Sequence, residues 1–256
     1  VKETTTDSLY VAGRRAALEL LRTDEGRARI EKVYLAHGMR EGPQMNEILH
    51  LIRTNKVPHG ELDKRKFQDL EKREARGADT QGIFILLSGA AYYELEDILG
   101  EKRTKESAPL LIALDGIEDP HNIGAIIRSA EAFGADAVLL PRHGAVLTPA
   151  VYKASAGAAL HIPIVKFSNI SETIFRLKEE FFLKCYGLAG EADTLLSDID
   201  TKEGVCLIIG NEEKGLHHLT RKRCDGLMKI PLAGKTASLN ASVAAAIALF
   251  AVSEKR

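Results

Sequence analysis

Cysteine is scarce in this chain. Cys185, Cys206 and Cys224 are the only three in 256 residues and form no CxxC pair, so neither a zinc site nor a disulfide framework is indicated. They read as small buried hydrophobes. Long apolar runs are missing as well. The longest, Val243 to Val252, is far short of the roughly 20 residues that a membrane span needs. The opening VKETTTDSLY lacks the apolar stretch of a signal peptide, and the expected location is cytoplasmic. Charge of one sign is missing too. With 35 basic residues against 36 acidic ones, composition carries no electrostatic signature of a polyanion partner. No GxGxxG follows a strand and no GxxxxGKS/T occurs, which counts against a dinucleotide-binding fold and a nucleoside triphosphatase. The glycine-rich entry loop of Rossmann-type methyltransferases is likewise absent.

What is present is enough apolar material, 45% of residues, to fill one large core or two ordinary ones. In the first block GRRAALELLR, GPQMNEILHLIRTN and KFQDLEKREAR have helical periodicity, while IEKVYLA and QGIFILLS read as strands. That alternation predicts a small α/β layer domain over residues 1–88. After it GAAYYELEDILGEKRTKESAP, a short helical pattern followed by a charged, Ser/Pro-ended stretch, is expected to be a linker over 89–107. Two basic clusters stand out: Lys64, Arg65, Lys66, Lys72, Arg73 and Arg76, and then Arg221, Lys222 and Arg223. Each is either a solvated helix face or a patch for RNA phosphates.

From residue 108 to 256 the texture becomes strand, loop, helix. LLIALD, AVLLP, HIPIVKF, FFLKCYGLAG, VCLIIG and LMKIPLAG are short apolar runs without alternation, as in strands of a parallel sheet buried on both faces. Ligands of such sheets collect beyond the carboxyl ends of the strands, and three post-strand loops have chemistry to offer. In DPHNIGAIIRSAEAFGA, Asn122 is placed as the N-cap of a helix whose apolar stripe begins at Ile123, and Arg128 falls opposite that stripe. In LIIGNEEKGLHHL a buried strand ends on Gly210, followed by Glu212 and the permissive Gly215. The adjacent His217 and His218 splay apart and do not suggest a metal site. In IPLAGKTASLNASV, Ser238 or Asn240 caps the last helix. That helix is apolar on every side, which predicts burial on every side.

In order and spacing these three segments resemble the three motifs of the SpoU-type branch of the SPOUT superfamily, the knotted RNA ribose 2′-O-methyltransferases. The match spans residues 109–256, and the first block is similar to the ribosomal-protein-like substrate-binding domain that precedes the catalytic domain in many members. The resemblance implies an S-adenosylmethionine-dependent homodimer with a C-terminal trefoil knot, in which the apolar last helix fills the knot and the subunit interface, most similar in layout to enzymes that methylate a guanosine ribose of 23S ribosomal RNA. It assigns Asn122, Arg128, Glu212, Ser238 and Asn240 to catalysis. Leu188, Gly190, Gly210, Ile230 and Leu239 fall to the cofactor, and Arg14, Arg15, Lys64 and Arg65 to RNA, with no metal. Glu213 stands where a glycine often follows the second motif's Glu. A transfer RNA substrate, an antibiotic-resistance site in 23S RNA and a non-catalytic role in ribosome assembly are the alternatives.

Overall fold

A computed structural model of the chain describes residues 3–4, 9–39, 42–75, 79–88, 91–102, 108–143, 147–236 and 238–256. Two compact units are present, one made of Lys2–Ala91 with Leu147–His161 and the other of Tyr92–Val146 with Ile162–Arg256.

The main elements of the amino-terminal unit are β1 (Leu9–Ala12), α1 (Arg14–Arg22), β2 (Ile30–Ala36), α2 (Pro43–Thr54), β3 (His59–Leu62), α3 (Lys64–Leu70) and β4 (Ile83–Leu87). Its sheet runs β1-β4-β2-β3, with β4 antiparallel to both neighbours and β3 parallel to β2. α1 and α2 lie together, burying Ala17, Leu20 and Leu21 from one and Met45, Ile48 and Ile52 from the other, the stripe that helical periodicity demands. β3 was not legible, because HGEL has no β-branched residue and no apolar run. The helix expected over 66–76 is α-helical only to Leu70 and then widens into a π-helical turn, Glu71–Ala75. Arg76, at its end, lies outside the described residues.

The carboxyl-terminal unit opens with α4 (Leu95–Lys102) inside the stretch expected to be linker. Its Leu95 and Leu99 are buried in the main core, so the amphipathic spacing outweighs the surrounding charge. Then follow β5 (Leu110–Asp115), α5 (Pro120–Ala132), β6 (Ala137–Pro141), α6 (Pro149–Ala154), β7 (Ile164–Phe167), α7 (Ile170–Glu179), β8 (Lys184–Leu188), β9 (Thr194–Leu195), β10 (Val205–Gly210), α8 (His218–Arg223), β11 (Gly226–Lys229) and α9 (Ala241–Ser253). The sheet order is β9-β11-β8-β10-β5-β6-β7, and every pair is parallel. All six apolar runs deliver a strand, and the mixed α/β class is as expected.

One departure and one open face matter. Residues 147–161, expected in the second domain, join the amino-terminal unit instead. There Tyr152 is fully buried, Lys153 lies 3.4 Å from Asp79 and the His161 ring lies 3.3 Å from Glu19. The last helix is also not covered all round. Ala241, Ala245, Ala248, Leu249 and Val252 are buried where α9 packs on α5 and β10, but Val243, Ile247 and Phe250 are 47%, 38% and 50% exposed. An all-apolar helix reports that no face is meant for water, not that its own chain covers every face. Among the described residues, no helix is long and apolar enough to cross a membrane.

Candidate active site

β10 and β5 are neighbours, and Gly210 pairs with Asp115 at their carboxyl ends. After Gly210 the backbone doubles back at once. Asn211 N–H donates to Gly215 O at 3.0 Å and Gly215 N–H to Asn211 O at 2.9 Å, while Asn211 Oδ1 accepts from the N–H groups of Glu213 and Lys214. Gly215 sits at φ +64, where glycine is favoured. At Gly210 the need is space, since a Cβ would lie 2.3 Å from the Gly215 carbonyl carbon.

This turn is tied to the loop after β5 at three points. Asn211 Nδ2 donates to Gly116 O at 2.9 Å. The buried Asp115 carboxylate takes the His217 backbone N–H at 2.9 Å on one oxygen and lies 2.7 Å from His217 Nδ1 with the other. Asn122 Nδ2 donates to Glu212 Oε1. The third motif joins through Asn240, whose Nδ2 donates to Asn122 Oδ1 at 3.1 Å. Asn122 therefore spends both ends of its amide on side chains from two other loops.

The capping expectations divide. Asn240 caps α9, accepting from Ser242 N–H at 2.8 Å. Asn122 does not cap α5: Asp119 does, accepting from His121 N–H at 3.0 Å, with Pro120 at the first helical position. A proline is pre-organised for that position, which moves the cap one residue before it and frees Asn122 to face the other loops.

A cavity of about 640 Å³ opens beside this knot of hydrogen bonds. Leu188, Gly190, Gly210, Ile230 and Leu239 all line it, as do Glu212 and Ser238. Ile209 and Met228 add to the apolar wall, and Glu191 pairs with Arg221 at the rim. The Glu191 carboxyl is held below its usual range by its own backbone N–H and then by Arg221. The volume falls within the roughly 300–1,000 Å³ of small-molecule and cofactor sites. Apolar walls suit a heterocycle, and a carboxylate and hydroxyl at one side suit polar groups, so the residues present fit an adenosyl-type cofactor. Asn122 and Asn240 are at its border through Glu212 rather than on its wall.

Arg128 stands apart. It is exposed on α5, about 240° round and about 9 Å along the helix from Asn122, and it is not among the residues lining the cavity. Of the RNA candidates, Arg15, Lys64 and Arg65 are exposed. Arg14 Nε donates to Gln81 O at 3.3 Å. Arg14 and Arg15 start α1, and Lys64 and Arg65 start α3. Sequence reasoning gave no role to Asp115 or His217. A carboxylate closing a fully apolar strand was the available signal. Among the described residues, no group of three or more His, Cys, Asp or Glu could hold a metal.

Residues 109–250 match the family model of the SpoU rRNA methylases, and residues 10–93 match that for RNA 2′-O ribose methyltransferase substrate binding. The chain is 38% identical over 251 residues to an uncharacterized tRNA/rRNA methyltransferase, slr0955, of Synechocystis; the match takes in 98% of this chain but 63% of that relative's length. It is 37% identical over 232 residues to the 23S rRNA (guanosine-2′-O-)-methyltransferase RlmB of Pseudomonas aeruginosa, covering 89% of this chain and 90% of the relative. The fold is shared with the SpoU methyltransferase AviRb of Streptomyces viridochromogenes in complex with AdoMet, at a TM-score of 0.75 and 23% identity, over 97% of this chain and 90% of the other.

Proposed function

We propose, from the premise that the chain belongs to the SpoU rRNA methylase family and is an S-adenosylmethionine-dependent RNA 2′-O-ribose methyltransferase, that the cavity beyond β8, β10 and β11 holds the methyl donor and that the acceptor is a guanosine ribose of 23S ribosomal RNA. The observation that carries the reading is convergence. Gly190, Gly210, Glu212, Ile230 and Leu239, from the loops after three strands, line one cavity, and Asn122, 90 residues before Glu212, is hydrogen-bonded to its edge and in turn to Asn240.

Bound there, the sulfonium supplies an electrophilic methyl group. The chain's own task is alignment and charge. Leu188, Ile230 and Leu239 would exclude water from one side. The Asn240–Asn122–Glu212 chain fixes the Glu212 carboxylate, whose second oxygen can orient the incoming ribose. A guanidinium suits a hydrogen-bonding clamp rather than a base, and the role of Arg128 is to hydrogen-bond the hydroxyl or an adjacent phosphate as negative charge develops on oxygen. Its distance from the cavity in one chain fits a site completed by a second copy. The exposed Val243, Ile247 and Phe250 on α9, packed beside α5, supply an apolar face for that homodimer. A C-terminal trefoil knot and a cytoplasmic location belong to the same reading. Arg14, Arg15, Lys64 and Arg65 in the substrate-binding unit would meet RNA phosphates. The similarity to RlmB across both units favours ribosomal over transfer RNA.

The test is ribose-methylation mapping of ribosomal and transfer RNA from cells with and without the gene, paired with transfer of labelled methyl by the purified protein. One 23S guanosine should lose its methyl group. A loss confined to transfer RNA, or no transfer to any RNA, refutes the proposal.

A further inference from the structure

The parallel sheet has two halves, and each has a cavity beyond its carboxyl edge. The second, of about 310 Å³, lies past β5, β6 and β7. His217, His143, Glu118, Ser168 and Asn169 line it, with Ile117, Pro141 and Phe167 as apolar wall. Among the described residues, no lysine or arginine lines it. Its polar groups are positioned from behind. Both oxygens of the buried Asp115 are taken by His217, one by the backbone N–H and one by Nδ1, which fixes the ring and leaves Nε2 for a ligand. Asn169 Oδ1 accepts from the N–H groups of Ser171 and Glu172 to cap α7, and its Nδ2 remains as a donor.

Two carboxylates and no cation on the wall make a phosphate an unfavourable occupant. A neutral heterocycle with donors and acceptors on its edge suits imidazole, hydroxyl and amide groups set over apolar surface, as unpaired RNA bases are commonly held. The volume, at the lower end of the roughly 300–1,000 Å³ of small-molecule pockets, has room for one base rather than a second cofactor. The two cavities are neighbours along the chain. Leu216 lines the first and His217 the second, with consecutive Cα atoms about 3.8 Å apart. Glu118 of the second lies four residues before Asn122.

We propose that this second cavity receives the nucleobase of an unpaired nucleotide adjoining the target ribose, and so helps select the RNA. The proposal rests on the RNA-methylating reading above.

The experiment uses the full-length protein and a ribosomal RNA fragment that it methylates, together with copies of that fragment carrying one abasic nucleotide at each position flanking the target. The variant is His143→Ala with Ser168→Ala; both side chains are exposed and neither takes part in the Asn122–Glu212 or Asp115–His217 contacts. Removing two such hydrogen bonds should raise KM for RNA roughly tenfold, with kcat and S-adenosylmethionine affinity within about twofold of the parent. At one abasic position, parent and variant should show the same KM, because base and pocket form one interaction and their losses do not add. An unchanged KM overturns the proposal, and so does an equal penalty on every abasic substrate, as a phosphate contact would give. If no fragment is methylated, the function proposed above fails; the second site is then decided by the same non-additivity in RNA binding measured by fluorescence anisotropy.

Discussion

Replacing Gly210 by alanine puts a methyl group where the chain reverses direction after β10. The new Cβ would stand 2.3 Å from the Gly215 carbonyl carbon and 2.4 Å from Leu216 N. Both are backbone atoms, so no side-chain rotation relieves the clash. To bring 2.3 Å to a tolerable 3.0 Å the turn must retreat by about 0.7 Å. The two Asn211–Gly215 hydrogen bonds, at 3.0 and 2.9 Å, oppose that movement. Overpacking of this kind costs about 1–3 kcal/mol, and a weakened hydrogen bond adds about 1 kcal/mol. At roughly 2–4 °C per kcal/mol for a chain of this size, the midpoint of thermal unfolding should fall by about 4–16 °C. Residues 211–216 also form one wall of the first cavity, so S-adenosylmethionine should bind at least about tenfold more weakly, equivalent to about 1.4 kcal/mol. Calorimetric titration and scanning calorimetry measure the two effects. Gly100→Ala is the control, because nothing lies within 4 Å of a Cβ built there. Parental affinity and melting temperature in Gly210→Ala would refute the steric argument and the assignment of the turn to the cofactor.

Arg128→Ala should bind S-adenosylmethionine normally yet lose about a hundredfold or more in methyl transfer; normal turnover would remove Arg128 from the mechanism. Ile247→Glu places a charge in the exposed apolar stripe of α9 and should convert a dimer to monomers in sedimentation while circular dichroism is unchanged. An unaltered sedimentation coefficient would exclude that face as the interface. The Cys224 thiol is pushed up to about 12, chiefly by burial. Its neutral form is favoured in the folded state, so its contribution is constant below the ordinary thiol range near 9 and declines as pH climbs from there toward 12. Intact mass after iodoacetamide at pH 8 should show Cys224 unlabelled in native protein and labelled after denaturation, and equal labelling in both would contradict the burial.

Much of the carboxyl-terminal unit was legible because its strands are short apolar runs, and the residues that follow them in a parallel sheet gather at one edge. That rule alone pointed to Gly210, Glu212 and Ser238. It did not yield the partners of Asn122. An asparagine near a helix start reads as a cap, and only the placement of Pro120 shows that Asp119 takes that position. Periodicity reported α9 as apolar all round but contains no information on what covers Val243, Ile247 and Phe250. Nor could local pattern show that 147–161 leaves its sequence neighbours, since Tyr152 and Lys153 find their surroundings through residues such as Asp79, far away along the chain. Asp115 and His217 were missed for the same reason. Neither is unusual alone, and they are 102 residues apart.

The pairing of β5 with β10, Leu110 opposite Val205, also sets a timetable for biosynthesis. At about 5–20 residues per second, the stretch between them occupies a translating ribosome for several seconds or more. Throughout that interval one flank of the central strand has no neighbour, and LLIALD is an aggregation-prone template in such a state. Pairing with β6 covers only the opposite flank, so the open edge must be shielded by other means, such as a chaperone, until β10 has emerged.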